Sequence, residues 1–190
     1  MKIKNTSALS AAALALVALG LTSCLQVEHW ILRIDLEAKR GELHYRNITS
    51  DGNDKNGQKN QNQVEAEDFD NLVRKYLQGE ALGEDFPRWR IEARDLYEED
   101  GELHGVVKFT FETPADVGLD SYDAARPYRF CPRPGQWITA ANARWRDNNG
   151  CVIWPKGATK LELEETAMPR PTGASLLPRH RDWKARRKGS

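Results

Sequence analysis

Apolar and polar residues partly alternate over residues 27–36, near the start of the sequence. The letters EAKRG then supply a turn, and Leu43, Tyr45 and Ile48 continue the apolar positions beyond it. Alternation with a period of two places one face of a strand in the core and the other in water. The pattern therefore predicts a β-hairpin over this part of the chain.

The same alternation returns further along the chain, again around a turn. The letters EEDGE separate two runs, and a sequence of this kind favours a tight hairpin connection. Residues 128–166 contain two or three more alternating runs, with RDNNG as another turn. The apolar positions of the central hairpin are Trp89, Ile91, Ala93 and Leu96, followed by Val107, Phe109 and Phe111.

One segment, residues 64–82, has helical rather than strand spacing. Its acidic residues come early and its basic residues come later, as the helix dipole favours. Gly79 or Gly83 is expected to end this helix. The polar residues 50–63 before it predict a solvated loop. The apolar face of the helix consists of Phe69, Leu72, Val73, Tyr76 and Leu77.

These patterns predict an α+β fold, in which an antiparallel β-sheet built from hairpins carries one main amphipathic helix. A single domain is expected over residues 24–170, including the polar loop. Residues 171–190 form a basic segment for which we expect a disordered, flexible tail. Six Lys or Arg oppose one Asp in its last twelve residues. The sequence leaves two alternatives for this tail: contact with anionic lipid head groups, or simple solvation.

The first 23 residues have the layout of a secretory signal peptide. Lys2 and Lys4 precede an uncharged run over residues 8–21, which is too short to span a bilayer comfortably. The letters LTSC that follow resemble the bacterial lipobox. This resemblance implies diacylglycerol on the Cys24 sulfur, cleavage before Cys24, and an acyl chain such as palmitate on the new amine. The alternative is an ordinary signal peptide that contains a cysteine.

Processing at Cys24 implies a protein that is anchored to a membrane of the cell envelope and does not span it. Leu25 follows the cysteine where some lipoproteins carry Asp. In a Gram-negative cell this favours the periplasmic face of the outer membrane.

Composition limits the kinds of partner. Without the two leader lysines, 26 basic residues face 28 acidic ones, so nucleic acid is not an expected partner. Cys131 and Cys151 remain as an even pair, which in an oxidising compartment predicts a disulfide. Two separate buried thiols are the alternative. A metal site suits these cysteines less well because no histidine lies near them in the sequence.

No motif in the sequence predicts catalysis. Serine-hydrolase, zinc-protease and phosphate-loop signatures are absent from the sequence, and no cofactor is expected. The acidic run Glu98, Glu99 and Asp100 lies at a hairpin turn, where hydrated carboxylates keep ordinary properties. His29 and His44 lie on the first hairpin, but the sequence offers no third metal ligand. We therefore expect a protein that is not an enzyme.

Three stretches together resemble the LppM-type bacterial lipoprotein domain. They are the strand and hairpin directly after the lipobox cysteine, the hairpin containing DG and GVVKFTF, and the late NARWRDNNGCVIW segment. The resemblance covers roughly residues 25–165 and implies an α+β ectodomain that binds envelope lipids or glycolipids. This chain differs in its polar insert at residues 50–63, and it has a basic tail where family members often carry a membrane helix.

The leading hypothesis is a non-enzymatic binding module for lipid or glycolipid. The alternative is a structural or assembly lipoprotein that docks a protein partner through an edge strand or the tail. Aromatic residues at strand spacing are candidates to line a ligand groove, although such residues also fill ordinary sheet cores. The candidates are Trp30, Trp89, Phe109, Phe111, Trp137 and Trp154.

Overall fold

The structure, a computed structural model, describes residues 25–52 and 58–188. It has the predicted α+β class, with a seven-stranded antiparallel sheet, a separate three-stranded sheet and three α-helices in the described part. The signal peptide at residues 1–23 and the lipidation site Cys24 lie outside the described residues.

Ten strands and three helices follow one another along the chain. The strands are β1 (Leu25–Asp35), β2 (Arg40–Ser50), β3 (Arg90–Glu99), β4 (Glu102–Thr110), β5 (Tyr128–Phe130), β6 (Gln136–Ala141), β7 (Trp145–Arg146), β8 (Val152–Trp154), β9 (Lys160–Ala167) and β10 (Ala174–Ser175). The helices are α1 (Gln61–Asn71), α2 (Ala81–Asp85) and α3 (Leu177–Lys188), with a π-helical segment at Leu72–Leu77 and a 3₁₀ turn at Pro114–Val117.

The large sheet has the strand order β3-β4-β2-β1-β9-β6, and β10 pairs with the end of β2. Its two ends differ. At one end, which we call the open end, Leu25 pairs with Ser50 and the β3–β4 turn lies nearby. At the other, the hairpin end, Asp35 pairs with both Arg40 and Lys160. The predicted hairpins β1–β2 and β3–β4 are therefore present and lie side by side.

The core lies on one face of the large sheet. Buried side chains of β1, β2, β4 and β9 cover that face, and two layers pack on it. The helical segment contributes Leu72 and Val73, and the small sheet contributes Val152 and Trp154. These residues form one continuous cluster, as expected for a single domain of this size. The buried sheet residues include Trp30, Leu32, Ile34, Leu43, Val107, Phe109, Leu161 and Leu163.

Gly41 shows why β2 needs a glycine near the hairpin end. It pairs with Phe109, and a Cβ at position 41 would lie 2.5 Å from the Phe109 ring. The ring of Phe109 stacks on Trp89 with centroids 3.7 Å apart, and Trp89 stacks on Phe86 at 4.0 Å. The missing side chain therefore gives space to a three-ring stack that closes this end of the core.

The predicted helix is present, but its bounds differ. It begins at Gln61 because Asn60 caps it: the Asn60 side chain accepts from the Gln63 N–H, and the Gln63 side chain accepts in return from the Asn60 N–H. The predicted polar loop is correspondingly shorter, since Ser50 ends β2 as a buried residue. The Ser50 hydroxyl donates to Asp68 at 2.6 Å and ties α1 to the sheet.

The prediction of a disordered C-terminal tail is wrong. Residues 174–188 form β10 and α3, because Leu176, Leu177 and His180 bury their side chains almost completely. Trp183 also packs edge-on against Phe69 of α1. Apolar burial at helical spacing offsets the entropy of ordering a segment that is otherwise strongly basic.

The predicted disulfide is confirmed. Cys131 and Cys151 are bonded across a sequence separation of 20 residues. Their bond connects the loop before β6 to the start of β8 in the small sheet. Closing a loop of this length is worth about 3 kcal/mol in the chain-entropy model. The bond lies one register position beyond the Phe130–Val152 pair, so it links β5 to β8 within the small sheet.

A candidate apolar groove between the helix and the sheet

A groove with an almost wholly apolar lining is present in the described part of the chain. It lies between the π-helical segment and the core face of β1, β2, β4 and β3, and we call it the helix groove. Its volume is about 60 Å³. Its lining residues are Leu25, Val27, Tyr45, Ile48, Leu72, Tyr76, Leu77, Leu82, Arg94, Asp95, Leu96, Gly105, Val106 and Val107.

The π-helical segment forms the roof of the groove. Leu72, Tyr76 and Leu77 face the groove, whereas Phe69 and Val73 line the contact with α3. The wider π-helical turn breaks the regular α-helical ladder, and such turns occur often at functional sites. Leu72 and Leu77, the first and last residues of the π-helical segment, both line the groove.

Gly79 holds the end of this roof against the sheet. A Cβ at this position would meet the Arg74 carbonyl oxygen at 2.5 Å, so only glycine fits the tight turn. The Arg94 guanidinium of β3 donates to the Gly79 carbonyl oxygen. This hydrogen bond places Arg94 at the rim and fixes the distance between roof and floor.

The floor is formed by neighbouring strands in register. Leu96 pairs with Gly105, Gly105 pairs with Tyr45, and Tyr45 pairs with Trp30. Opposed residues in a sheet share one face, so these side chains form a row across the core face. Gly105 adds no side chain to the row, and a Cβ there would lie 3.3 Å from Ile48, another lining residue. The row continues beyond the groove to Trp30, which does not line it.

Burial raises the pKa of polar groups in and beside the groove. It raises the pKa of Tyr76 to about 12 and raises the pKa of Tyr45 above its usual range as well. Burial, reinforced by the neighbouring Glu84, raises the pKa of Asp85. Both phenols stay neutral near neutral pH, so Tyr76 in the roof and Tyr45 in the floor are uncharged polar groups, whereas Arg94 is a charged group at the rim.

A buried ion pair continues the floor row on the far side of Trp30. Trp30 pairs with Glu165, whose carboxylate is 2.7 Å from the Arg133 guanidinium. Arg133 also lies over the Trp30 ring, 5.5 Å from its centroid. Both charges of the pair are engaged within the protein, so this pair is a structural contact beside the groove rather than a free charge within it.

The size of the helix groove restricts what it accepts. A volume of about 60 Å³ exceeds the roughly 10–15 Å³ that one water requires. It is well below the roughly 300–1,000 Å³ of pockets that enclose a drug-sized ligand. In this conformation the groove therefore accommodates a short apolar group, such as the end of an acyl chain.

The six aromatic residues singled out from the sequence lie elsewhere. Trp30, Phe109, Phe111 and Trp154 are buried in the core, and the Trp154 indole N–H donates to Asn142 at 2.7 Å. Trp89 is half-buried in the ring stack and donates to the Asp116 carbonyl oxygen at 2.9 Å. Trp137 is 65% exposed on the edge strand β6. None of the six lines the helix groove.

Part of the groove lining could be predicted from the sequence. The predicted apolar helix face contains Leu72, Tyr76 and Leu77, all of which line the roof. The floor could not be predicted, because it depends on how β2, β3 and β4 pair and on which row of the sheet the helix covers. From the sequence, Leu25 is predicted only to influence the membrane to which the lipoprotein is sorted. In the structure it lines the groove, directly after the proposed lipidation site.

The two histidines of the first hairpin lie on the polar face of the sheet. His29 Nδ1 is 3.0 Å from both Thr166 Oγ1 and Glu164 Oε1. His44 Nε2 is 3.2 Å from Glu42, and burial lowers the pKa of His44. Among the described residues, no group of three or more His, Cys, Asp or Glu side chains is arranged to hold a metal ion.

The acidic run at the β3–β4 turn takes part in ion pairs. Glu98 pairs with Arg181 of α3, and Glu99 pairs with Arg46 of β2. The Arg181 guanidinium holds the pKa of the Glu98 carboxyl below its usual range. Glu98 therefore connects the sheet to α3, and Glu99 connects β3 to β2.

Comparison with protein-family models, with curated proteins and with solved structures finds no match to this chain. The resemblance to the LppM-type domain accordingly stays a prediction from the sequence. Within residues 25–52 and 58–188, no helix is both long and apolar enough to cross a membrane.

Proposed function

We propose that this chain is a bacterial lipoprotein, held to an envelope membrane by acyl chains on Cys24, whose domain binds an envelope lipid or glycolipid without catalysing a reaction. The helix groove is the observation that carries the proposal. Its lining is apolar apart from Tyr45, Tyr76, Arg94 and Asp95, and the two phenols stay neutral near neutral pH. The lining contains no histidine, cysteine or serine, and its one carboxylate, Asp95, accepts a hydrogen bond from the Leu96 N–H.

The position of the groove relative to the anchor supports a lipid ligand. Leu25 lines the groove and directly follows Cys24 in the chain. One end of the groove therefore lies within a few ångströms of the anchored residue, because consecutive Cα atoms are about 3.8 Å apart. A lipid leaving the bilayer meets this end first.

The small volume defines how the lipid binds. The groove holds the end of one acyl chain, with the head group outside near the rim. Each methylene transferred from water contributes about 0.8 kcal/mol. Deeper insertion requires the π-helical segment to move away from the sheet, and Gly79 and Arg94 form the contact that such a movement would strain.

A titration with a hexadecyl chain that carries a dansyl group at its polar end tests this function. The protein is the mature chain with Cys24→Ser, so its own acyl chains do not compete. Leu77→Trp fills the groove at a half-buried position and is expected to weaken binding at least tenfold. Leu36→Trp is the matched control, because Leu36 is also half-buried but lies at the hairpin end.

Saturable binding that Leu77→Trp weakens and Leu36→Trp leaves unchanged supports the proposal. Equal affinity of both variants, or no saturable binding by the unsubstituted groove, contradicts it. In that case the protein-docking alternative is favoured, with β6 as the candidate surface. That edge strand carries no charged residue, whereas the opposite edge strand β3 carries several.

A further inference from the structure

Helix α3 concentrates positive charge on a molecule whose sequence is neutral overall. Asp182 is its only acidic residue, and the whole chain has a formal net charge of zero. Arg181, Lys184 and Arg187 are exposed, although Arg181 also pairs with Glu98 and Arg187 lies over the Trp183 ring. The basic residues of α3 are Arg179, Arg181, Lys184, Arg186, Arg187 and Lys188.

The fold places this helix at the open end of the sheet. Strand β10 pairs with Thr49 and Ser50, and Ser50 pairs with Leu25 on its other side. Helix α3 begins two residues after Ser175 and pairs with Glu98 beside the β3–β4 turn. The basic helix and the start of β1 thus lie at the same end of the molecule.

Exposed apolar side chains lie at this end as well. Trp137 is 65% exposed and Met168 is 56% exposed, and the described part of the chain has one other exposed large hydrophobic residue, Tyr122. Trp137 pairs with Thr166 and the Met168 N–H donates to the Gly135 carbonyl oxygen, so both positions lie where β9 ends and β6 begins. Tryptophan is the residue most typical of a membrane–water interface.

We infer that α3, Trp137 and Met168 form a membrane-facing surface that binds anionic lipid head groups. The orientation of this surface toward the bilayer rests on the proposed anchor at Cys24, one residue before Leu25. Each basic side chain near an anionic surface contributes about 1 kcal/mol, and the effect fades within a Debye length of about 10 Å. A helix of twelve residues is about 18 Å long, so several of its basic groups reach the head groups together.

The surface also gives the proposed groove its orientation. Acyl chains on Cys24 hold the domain near the bilayer but leave it free to rotate about the anchor. Helix α3 contacts the bilayer on one side of Leu25, and Trp137 and Met168 contact it on the other side. These contacts turn the open end toward the lipid. The groove end at Leu25 then faces the membrane surface.

Co-sedimentation with vesicles tests this inference without the anchor. The protein is the mature chain with Cys24→Ser; residues 25–188 enclose their own core, so the chain folds without acylation. Vesicles of phosphatidylcholine are compared with vesicles that also contain phosphatidylglycerol. Binding is expected with phosphatidylglycerol and should weaken as salt is added. Because neither anchor nor groove is needed here, failure of this test leaves the groove titration unaffected.

A pair of triple variants locates the surface. The first variant combines Lys184→Gln, Arg187→Gln and Lys188→Gln. It is expected to weaken binding to the anionic vesicles roughly a hundredfold, about fivefold for each charge removed. The control replaces Arg40, Arg90 and Lys160 by Gln. These three exposed residues lie in one register row at the hairpin end and change the net charge equally.

A third variant separates the apolar contribution. Trp137→Ser with Met168→Ser is expected to weaken binding by a factor that added salt does not change, since it removes apolar contacts rather than charges. Equal loss in the two triple variants, or equal binding to neutral and anionic vesicles, overturns the inference. Strong loss confined to the α3 variant, with the apolar variant weakened at every salt concentration, establishes it.

Discussion

At the scale of single residues, period-two spacing marks the side chains that fill the core of the sheet. It does not mark the side chains that are free to contact a ligand. Leu43, Val107 and Phe109 were placed correctly on the inner face of their strands by alternation alone. The aromatic candidates were chosen by the same rule, and four of the six are core residues for that reason. Period-two spacing reports burial, whereas a ligand site needs a place where packing is incomplete.

Gly41 tests the packing of the three-ring stack directly. Gly41→Ala places a methyl group against Phe109 and 2.9 Å from the Arg33 carbonyl oxygen. Overpacking of this kind costs about 1–3 kcal/mol, so we expect the free energy of unfolding in urea to fall by that amount. Gly157→Ala is the control, because nothing lies within 4 Å of its added Cβ. Equal stability of both variants would mean that the stack is not tightly packed.

At the scale of elements, the strands and the first helix were predictable, and α3 was missed. Its six basic residues match the composition of a solvated tail. Leu176, Leu177, His180 and Trp183 nevertheless follow helical spacing within that segment, and these are the residues that the fold buries or half-buries. The π-helical turn could not be predicted, because the apolar spacing of residues 69–77 also fits a regular α-helix.

The docking of α3 is expected to depend on pH through His180. Burial lowers the pKa of His180 below its ordinary 6.5, Lys184 lowers it further, and Glu98 and Asp95 oppose this shift. Above about pH 6.5 the imidazole is neutral in both folded and unfolded chains. As the pH falls below that value, the unfolded chain takes up a proton more readily, so stability is lost until the folded pKa is reached.

Urea unfolding between about pH 7.5 and about pH 5 measures this loss, in a range above the titration of most carboxyl groups. His180→Leu should flatten the dependence. His44, whose pKa burial also lowers, retains its own contribution in that variant. An unchanged pH slope in His180→Leu would show that His180 does not carry the effect.

At the scale of the whole molecule, the proposed functions meet at one end of the sheet. The start of β1, the end of the helix groove, the basic helix α3 and the exposed Trp137 all lie at the open end. The sequence predicted the anchor and the basic segment as separate features about 150 residues apart. Strand pairing brings the start of β1, next to the proposed anchor, to the same end as the basic helix. Pairing between distant segments is the information that local patterns lack.

Native mass spectrometry of the Cys24→Ser mature chain, exported and gently purified, tests the central claim most directly. The account predicts a mass that includes one lipid after incubation with an envelope lipid extract, and loss of that lipid in Leu77→Trp. Extraction and fragmentation of the bound molecule then identify the lipid class. An unliganded mass that stays unchanged in the presence of the extract would contradict the claim that the helix groove is a lipid-binding site.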